Sequence, residues 1–253
     1  MKKLLDVYLV AERNLRKSLR TPQFIVVEIF FQPIIFVLLF AYVFGGAIHI
    51  PGVSYIDFLL PGILVQTATF SGLNTGIALA EDLRNGLIDR FWSLPMSRFA
   101  VIAGRVAADT VLSSVAVLVM VGVGTLIGFR FHAGFAEALL AIGIAILTGM
   151  TFGTLGALLA VVFRTPEGVQ GVGFALIFPI VFASSVFVPV ASMPGWLQVI
   201  ASRTPITAAV DAVRALSLGL PLHSLPVAAV TWLVAIIVAA SAVSGFLYQR
   251  MGR

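Results

Sequence analysis

With 60% hydrophobic and only 11% charged residues in 253 positions, this chain cannot cover a soluble domain, which carries about 25% charged residues. The mean hydropathy of +1.08 makes lipid its solvent, so the formal charge of +5 reads as membrane topology and not as a nucleic-acid surface. Cysteine is absent, which excludes disulfides and thiolate metal sites.

In chain order, the first twenty residues are basic and lack the apolar run and small-residue cleavage site of a signal peptide. Leu4, Leu5, Tyr8, Leu9, Glu12, Leu15 and Leu19 recur near helical spacing between basic residues. Residues 1–22 therefore read as an interfacial amphipathic helix on the inner leaflet, ended by Thr21-Pro22.

A hydrocarbon core about 30 Å thick takes roughly 20 apolar residues of helix. Six segments qualify: 24–47, 55–80, 101–128, 136–163, 171–190 and 227–247. Backbone groups in lipid must pair within their own segment, so these are helices. Between the fifth and sixth spans, residues 191–226 hold two apolar pieces too short to cross, divided by Pro205. The expected fold is all-α: a polytopic membrane protein with six spans, an N-terminal interfacial helix and a re-entrant external helix pair. No internal repeat is visible, and residues 1–253 read as one transmembrane domain.

Lysine and arginine divide unevenly. Lys2, Lys3, Arg13, Arg16, Lys17, Arg20, Arg84, Arg90, Arg98, Arg105, Arg164, Arg250 and Arg253 fall on one side, and Arg130, Arg203 and Arg214 on the other. Thirteen against three places both termini in the cytoplasm.

No catalytic constellation is present. There is no phosphate-binding G-x-x-x-x-G-K-[ST] loop, no H-E-x-x-H and no G-x-S-x-G. His49, His132 and His223 lie far apart near external boundaries and read as interfacial polar residues, so no metal site and no enzyme activity of its own are expected.

Within the spans, Glu28 lies near the cytoplasmic end of the first and is within reach of Lys17 or Arg20. Arg105 and Asp109 stand one turn apart and should pair. The second span is polar midway: Gln66, Phe70 and Asn74 share one face, and Thr67, Ser71 and Thr75 another. These groups suit either interhelical hydrogen bonds or a substrate pathway, to which Phe178, Phe182 and Ser185 of the fifth span would add an aromatic surface. Gly124/Gly128 and Gly149/Gly153 permit close helix packing, expected within one subunit. Pro33, Pro61 and Pro179 should kink their spans.

The cytoplasmic stretch 81–100 is the most specific. Its residues Leu83, Leu87, Phe91 and Leu94 form one helical stripe opposite charged residues, and Pro95 ends it. Asp82, Gly86, Asp89, Arg90, Leu94, Pro95, Ser97 and Arg98 match the coupling region of ABC-2 type permeases. Asp57-Phe58-Leu59-Leu60-Pro61-Gly62 and Met193-Pro194-Gly195-Trp196-Leu197-Gln198, followed by Thr204-Pro205, Arg214 and Gly219, match further. The chain resembles that family over essentially its whole length, most closely the daunorubicin/doxorubicin-resistance permease branch. Where the family more often has Asn before the external proline, Thr204 can cap in its place.

The resemblance implies a permease subunit in a bacterial plasma (inner) membrane exporting amphipathic, drug- or lipid-like compounds. A second permease copy or paralogue would complete the pathway, with the first and fifth spans at the subunit interface. Two ABC ATPase subunits would bind the ATP and Mg that this chain does not. Glu81, Asp82, Leu83, Gly86, Leu87, Arg90, Phe91, Leu94, Pro95 and Arg98 would seat on the ATPase, beside the N-terminal helix and the 164–170 loop. The alternatives are a glycan exporter of the same superfamily and an ion-coupled secondary transporter, the latter lacking inverted repeats and buried acidic residues.

Overall fold

The computed structural model describes residues 2–20, 23, 25–44, 53–86 and 98–250. Among them the regular structure is helical and no strand occurs. The α-helices are α1 (Lys2–Leu19), α2 (Gln32–Leu39), α3 (Tyr55–Arg84), α4 (Arg98–Leu126), α5 (Phe135–Phe163), α6 (Pro166–Phe182), α7 (Gly195–Ala201), α8 (Pro205–Leu218) and α9 (Leu225–Arg250). Flanking α2, Ile25–Phe31 and Phe40–Phe44 are π-helical.

Among the described residues, α3, α4, α5 and α9 are long and apolar enough to cross a bilayer. Two shorter apolar helical stretches, Ile29–Val43 and Pro166–Phe182, stand where the first and fifth spans were expected. The 17 residues of α6 make roughly 25 Å of helix at 1.5 Å each. They start earlier than expected, because the Thr165 hydroxyl accepts the Gly168 N–H at 3.2 Å and caps the helix within the 164–170 loop. They also stop earlier: beyond Phe182 the chain turns, and the Ala183 N–H closes on the Pro179 carbonyl at 2.8 Å.

The hub of the molecule is α3, whose apolar window is 78% buried, against 22% for α9. Its backbone meets α5 directly. A Cβ added at Gly72 would lie 2.2 Å from the Phe152 carbonyl carbon, and one at Gly156 2.1 Å from the Gly72 carbonyl oxygen. Small residues at such a crossing let two backbones approach in lipid. Gly124 gives way to Leu60, and Gly149 lies against Ser113 and Ala68, so these glycines pack within the chain as expected. Gly128 sits past the end of α4 at φ 116 and has nothing within 4 Å.

On α1, the face that packs is Asp6, Val10 and Asn14, all buried. Val10 fits the notch at Gly104 of α4, where an added Cβ would lie 2.7 Å from the Val10 Cβ. Leu4, Leu5, Tyr8, Leu9 and Leu19 are exposed, an outward apolar stripe suited to acyl chains.

The two helices expected as an external pair are unequal. Trp196, Val199 and Ile200 of α7 are exposed, whereas α8 is buried along most of its length and packs on α3, α5 and α9. Thr204 caps α8, its hydroxyl accepting the Thr207 N–H at 3.1 Å, and Gly219 ends it at φ 70. Arg214, expected as an external loop charge, is a buried residue inside α8.

Candidate functional site: a cavity beside α3 and its two clamps

The polar middle of α3 faces a cavity of about 380 Å³, large enough for a drug-sized molecule. Gln66, Thr67, Phe70, Ser71, Asn74 and Thr75 all line it, so the two faces distinguished in the sequence border one space. Opposite stand Gln32, Pro33 and Phe36 from α2, and Asp109, Leu112, Ser113 and Ala116 from α4. At one end lie Lys17 and Ser18 of α1, Glu81 of α3 and Arg105 of α4. The chamber therefore has a mixed apolar and polar wall and a charged end.

Arg105 donates to Asp109 through Nε at 2.8 Å with both side chains largely buried, the pairing expected one turn apart. Several α3–α5 hydroxyls turn inward on their own helices: Thr69 to the Val65 carbonyl, Thr148 to Ile144 and Thr154 to Met150, each at 2.8 Å.

Beyond the other end of α3, Arg214 forms a clamp. Its Nε donates to the Phe58 carbonyl at 3.1 Å, Nη2 to the Ser185 carbonyl at 2.8 Å and Nη1 to Asp211 Oδ1 at 3.2 Å. Ser185 Oγ donates to the same Asp211 oxygen at 2.7 Å, and the Ser185 N–H to Thr207 Oγ1 at 3.2 Å. Ser54 caps α3, its Oγ accepting the Asp57 N–H at 3.3 Å and donating to Asp57 Oδ2 at 2.7 Å, and Asp57 Oδ1 holds the α4–α5 loop by accepting the Arg130 N–H at 3.0 Å. The His132 N–H of that loop donates to the Ser217 carbonyl at 2.8 Å. Gly62 admits the Val186 backbone, whose carbonyl oxygen would be 2.3 Å from an added Cβ. Residues 57–62 are thus the joint where α3 meets the turn after α6 and the loop after α4.

At the charged end, Asp82 is gripped by α1: Lys17 Nζ lies at 3.0 Å from Oδ1 and Arg13 Nη2 at 3.4 Å from Oδ2. Arg84 pairs with Glu167 at 2.9 Å, linking the end of α3 to the start of α6. Leu83 packs partly buried against the cluster that contains Leu79 and Tyr248. Glu81 is exposed and lines the cavity. The stripe expected to run unbroken from Leu83 is interrupted: α3 ends at Arg84, and Gly86 takes φ 67, a left-handed conformation that closes helices. Leu87, Arg90, Phe91, Leu94 and Pro95 lie outside the described residues, as do the side chains of Arg98 and Glu28.

Of the substrate-pathway residues expected from sequence, Gln66, Phe70 and Asn74 come together in the cavity. Ser185 belongs to the Arg214 clamp. Phe178 and Phe182 stack at 4.4 Å on the exposed side of α6 and continue through Phe187 and Phe40 to Phe36 of the cavity wall, at 5.0, 4.9 and 5.5 Å. Sequence reasoning assigned no role to Asp57, Phe58, Asp211, Arg13 or Glu167. Asp57 and Phe58 carried a signal, since both stand in a motif already singled out.

The ABC-2 type transporter family model matches residues 6–218, and the chain belongs to that family. It is 36% identical over 193 residues to the daunorubicin resistance ABC transporter permease protein DrrB1 of Streptomyces coeruleorubidus, covering 76% of this chain and 68% of that protein. It is 27% identical over 219 residues to the probable doxorubicin resistance ABC transporter permease protein DrrC of Mycobacterium tuberculosis (strain CDC 1551 / Oshkosh), covering 86% and 79%. The putative transport permease ycf38 of Cyanophora paradoxa is 29% identical over 187 residues, covering 72% and 64%. The apolar helices and this membership make it a multi-pass membrane protein of the ABC permease type.

Proposed function

We propose that this chain is the permease subunit of an ATP-driven exporter and that the cavity beside α3 receives an amphipathic, drug- or lipid-like substrate from the cytoplasm or inner leaflet. The observation that carries this reading is the cavity itself: aromatic rings and hydrogen-bonding groups share one wall, and a charged end lies beside the interfacial helix α1. Relatives named for daunorubicin and doxorubicin resistance support a cargo of that chemistry. In this reading the chain spans the plasma membrane six times with both termini in the cytoplasm, and pairs with a second permease.

Two ATPase subunits bind ATP and Mg and seat against residues 81–98. The linkages of Asp82 to α1 and of Arg84 to Glu167 support this coupling, because they join three cytoplasmic elements into one body that can be moved rigidly. The aromatic ladder from Phe36 to Phe178 gives an exposed apolar continuation of the cavity wall.

The test is co-expression with the ATPase encoded beside it. The pair should confer survival on an anthracycline and show ATP hydrolysis above that of the ATPase alone. Transport by the purified chain without any partner, driven by an ion gradient, overturns the proposal.

A further inference from the structure

Gln66 is 3% exposed and lines the cavity, yet its Oε1 has no hydrogen-bond partner among the described residues. A buried acceptor left unpaired is costly enough that native structures rarely keep one without a purpose. Its amide rotates broadly about the last side-chain torsion, so a group entering the cavity can recruit it. Pro33, Phe36, Phe70 and Ala116 line the same cavity, beside neutral polar residues that include Gln32, Thr67 and Ser113.

The charge of the recruited group follows from what surrounds it. Asp109 is already held by Arg105 at 2.8 Å. Glu81 lies fifteen residues along α3, about 22 Å away. Among the described lining residues no unpaired carboxylate stands near Gln66, and an ammonium placed there would lose its hydration without a countercharge. A neutral hydroxyl both donates to Oε1 and accepts from Nε2.

We infer that Gln66 is the selecting residue of this cavity: it binds a neutral hydroxyl carried on the buried, apolar end of an amphipathic substrate, whose polar end points toward Lys17 and Glu81. The inference rests on the reading of the cavity as a substrate chamber. It adds a chemical requirement that a merely greasy pocket would not impose.

The experiment is equilibrium binding of three radiolabelled probes to the full chain in lipid nanodiscs: a pyrene-bearing long-chain alcohol, its methyl ether and its primary ammonium analogue. The alcohol should bind about tenfold tighter than the ether, the worth of one net hydrogen bond, and tighter than the ammonium. Gln66→Leu and Gln66→Met should each abolish the preference for the alcohol over the ether. Equal binding of alcohol and ether by the unaltered chain overturns the inference, as does a preference that survives both variants or an ammonium that binds best. The measurement needs no ATPase. Loss of the alcohol preference beside intact ATP-driven efflux sinks only the subsite, whereas absent coupling beside an intact preference sinks only the exporter reading.

Discussion

The guanidinium of Arg214 lies 3.7 Å from the centroid of the Phe58 ring, and its Nε donates to the carbonyl of the same residue at 3.1 Å. One side chain thus holds both the ring and the backbone of the first turn of α3, while its remaining nitrogens hold Ser185 and Asp211. Arg214→Ala should lower stability by about 3 kcal/mol, because buried acceptors lose their donor and the cation–π contact goes with them. Arg214→Lys should recover only part, since a single ammonium cannot reproduce the fork. Thermal unfolding in detergent measures both, and a lysine variant as stable as the parent would contradict the clamp.

At the α3–α5 crossing, Gly156→Ala puts a methyl where the Gly72 carbonyl stands. Overpacking of this kind costs roughly 1–3 kcal/mol. The melting temperature should fall by several degrees, whereas Gly171→Ala, with nothing within 4 Å, should leave it within about a degree of the parent.

Asp82→Asn removes the partner of Lys17 and weakens that of Arg13. Both bases are substantially exposed, so the change in global stability should stay near 1 kcal/mol or below. The change in α1 itself should be larger: tryptic cleavage after Arg13, Arg16 and Lys17 should accelerate severalfold in nanodiscs as the helix lifts. An unchanged cleavage rate would mean that the buried face of Asp6, Val10 and Asn14 holds α1 without the Asp82 ion pairs.

Gly86 should tolerate Asn and not Val. Asn visits the left-handed region that φ 67 requires, whereas a β-branched residue there costs about 1–2 kcal/mol. In the proposed complex, Gly86→Val should also cut ATPase stimulation, because the chain beyond it leaves α3 at a different angle. A Val variant with parental melting temperature and stimulation would remove Gly86 from the coupling scheme.

The long apolar helices were legible because lipid leaves the backbone no other option, and α3, α5 and α9 start within two residues of expectation. Local pairs such as Arg105 with Asp109 were legible for the same reason, since helical spacing alone brings them together. Partner choice was not legible. Glycine spacing does not say which helix a pair will meet, so nothing local marked Gly72 and Gly76 for their contact with α5. On α1 the conspicuous leucine stripe faces outward and the quieter Asp6, Val10 and Asn14 face the protein, the reverse of a soluble helix. Arg214 was read as a surface charge because its partners lie 29 and 156 residues away and at Asp211. In the cavity, the polar residues of α3 were recognised, but the wall opposite them, from Gln32 to Phe36 and from Asp109 to Ala116, depends on tertiary placement that no local pattern encodes.

Lys17 lines the cavity and grips Asp82 with its ammonium. An occupant that shifts Lys17 must therefore alter the end of α3, and whatever seats against that end must alter the cavity. In thermodynamic terms the two events share a coupling free energy, and the coupling is the same read from either side. If the nucleotide state of an attached ATPase weakens cargo affinity by some factor, cargo must weaken that state by an equal factor. Titrating cargo against nucleotide affinity in the assembled complex, with Asp82→Asn as the uncoupled reference, would put a number on that exchange.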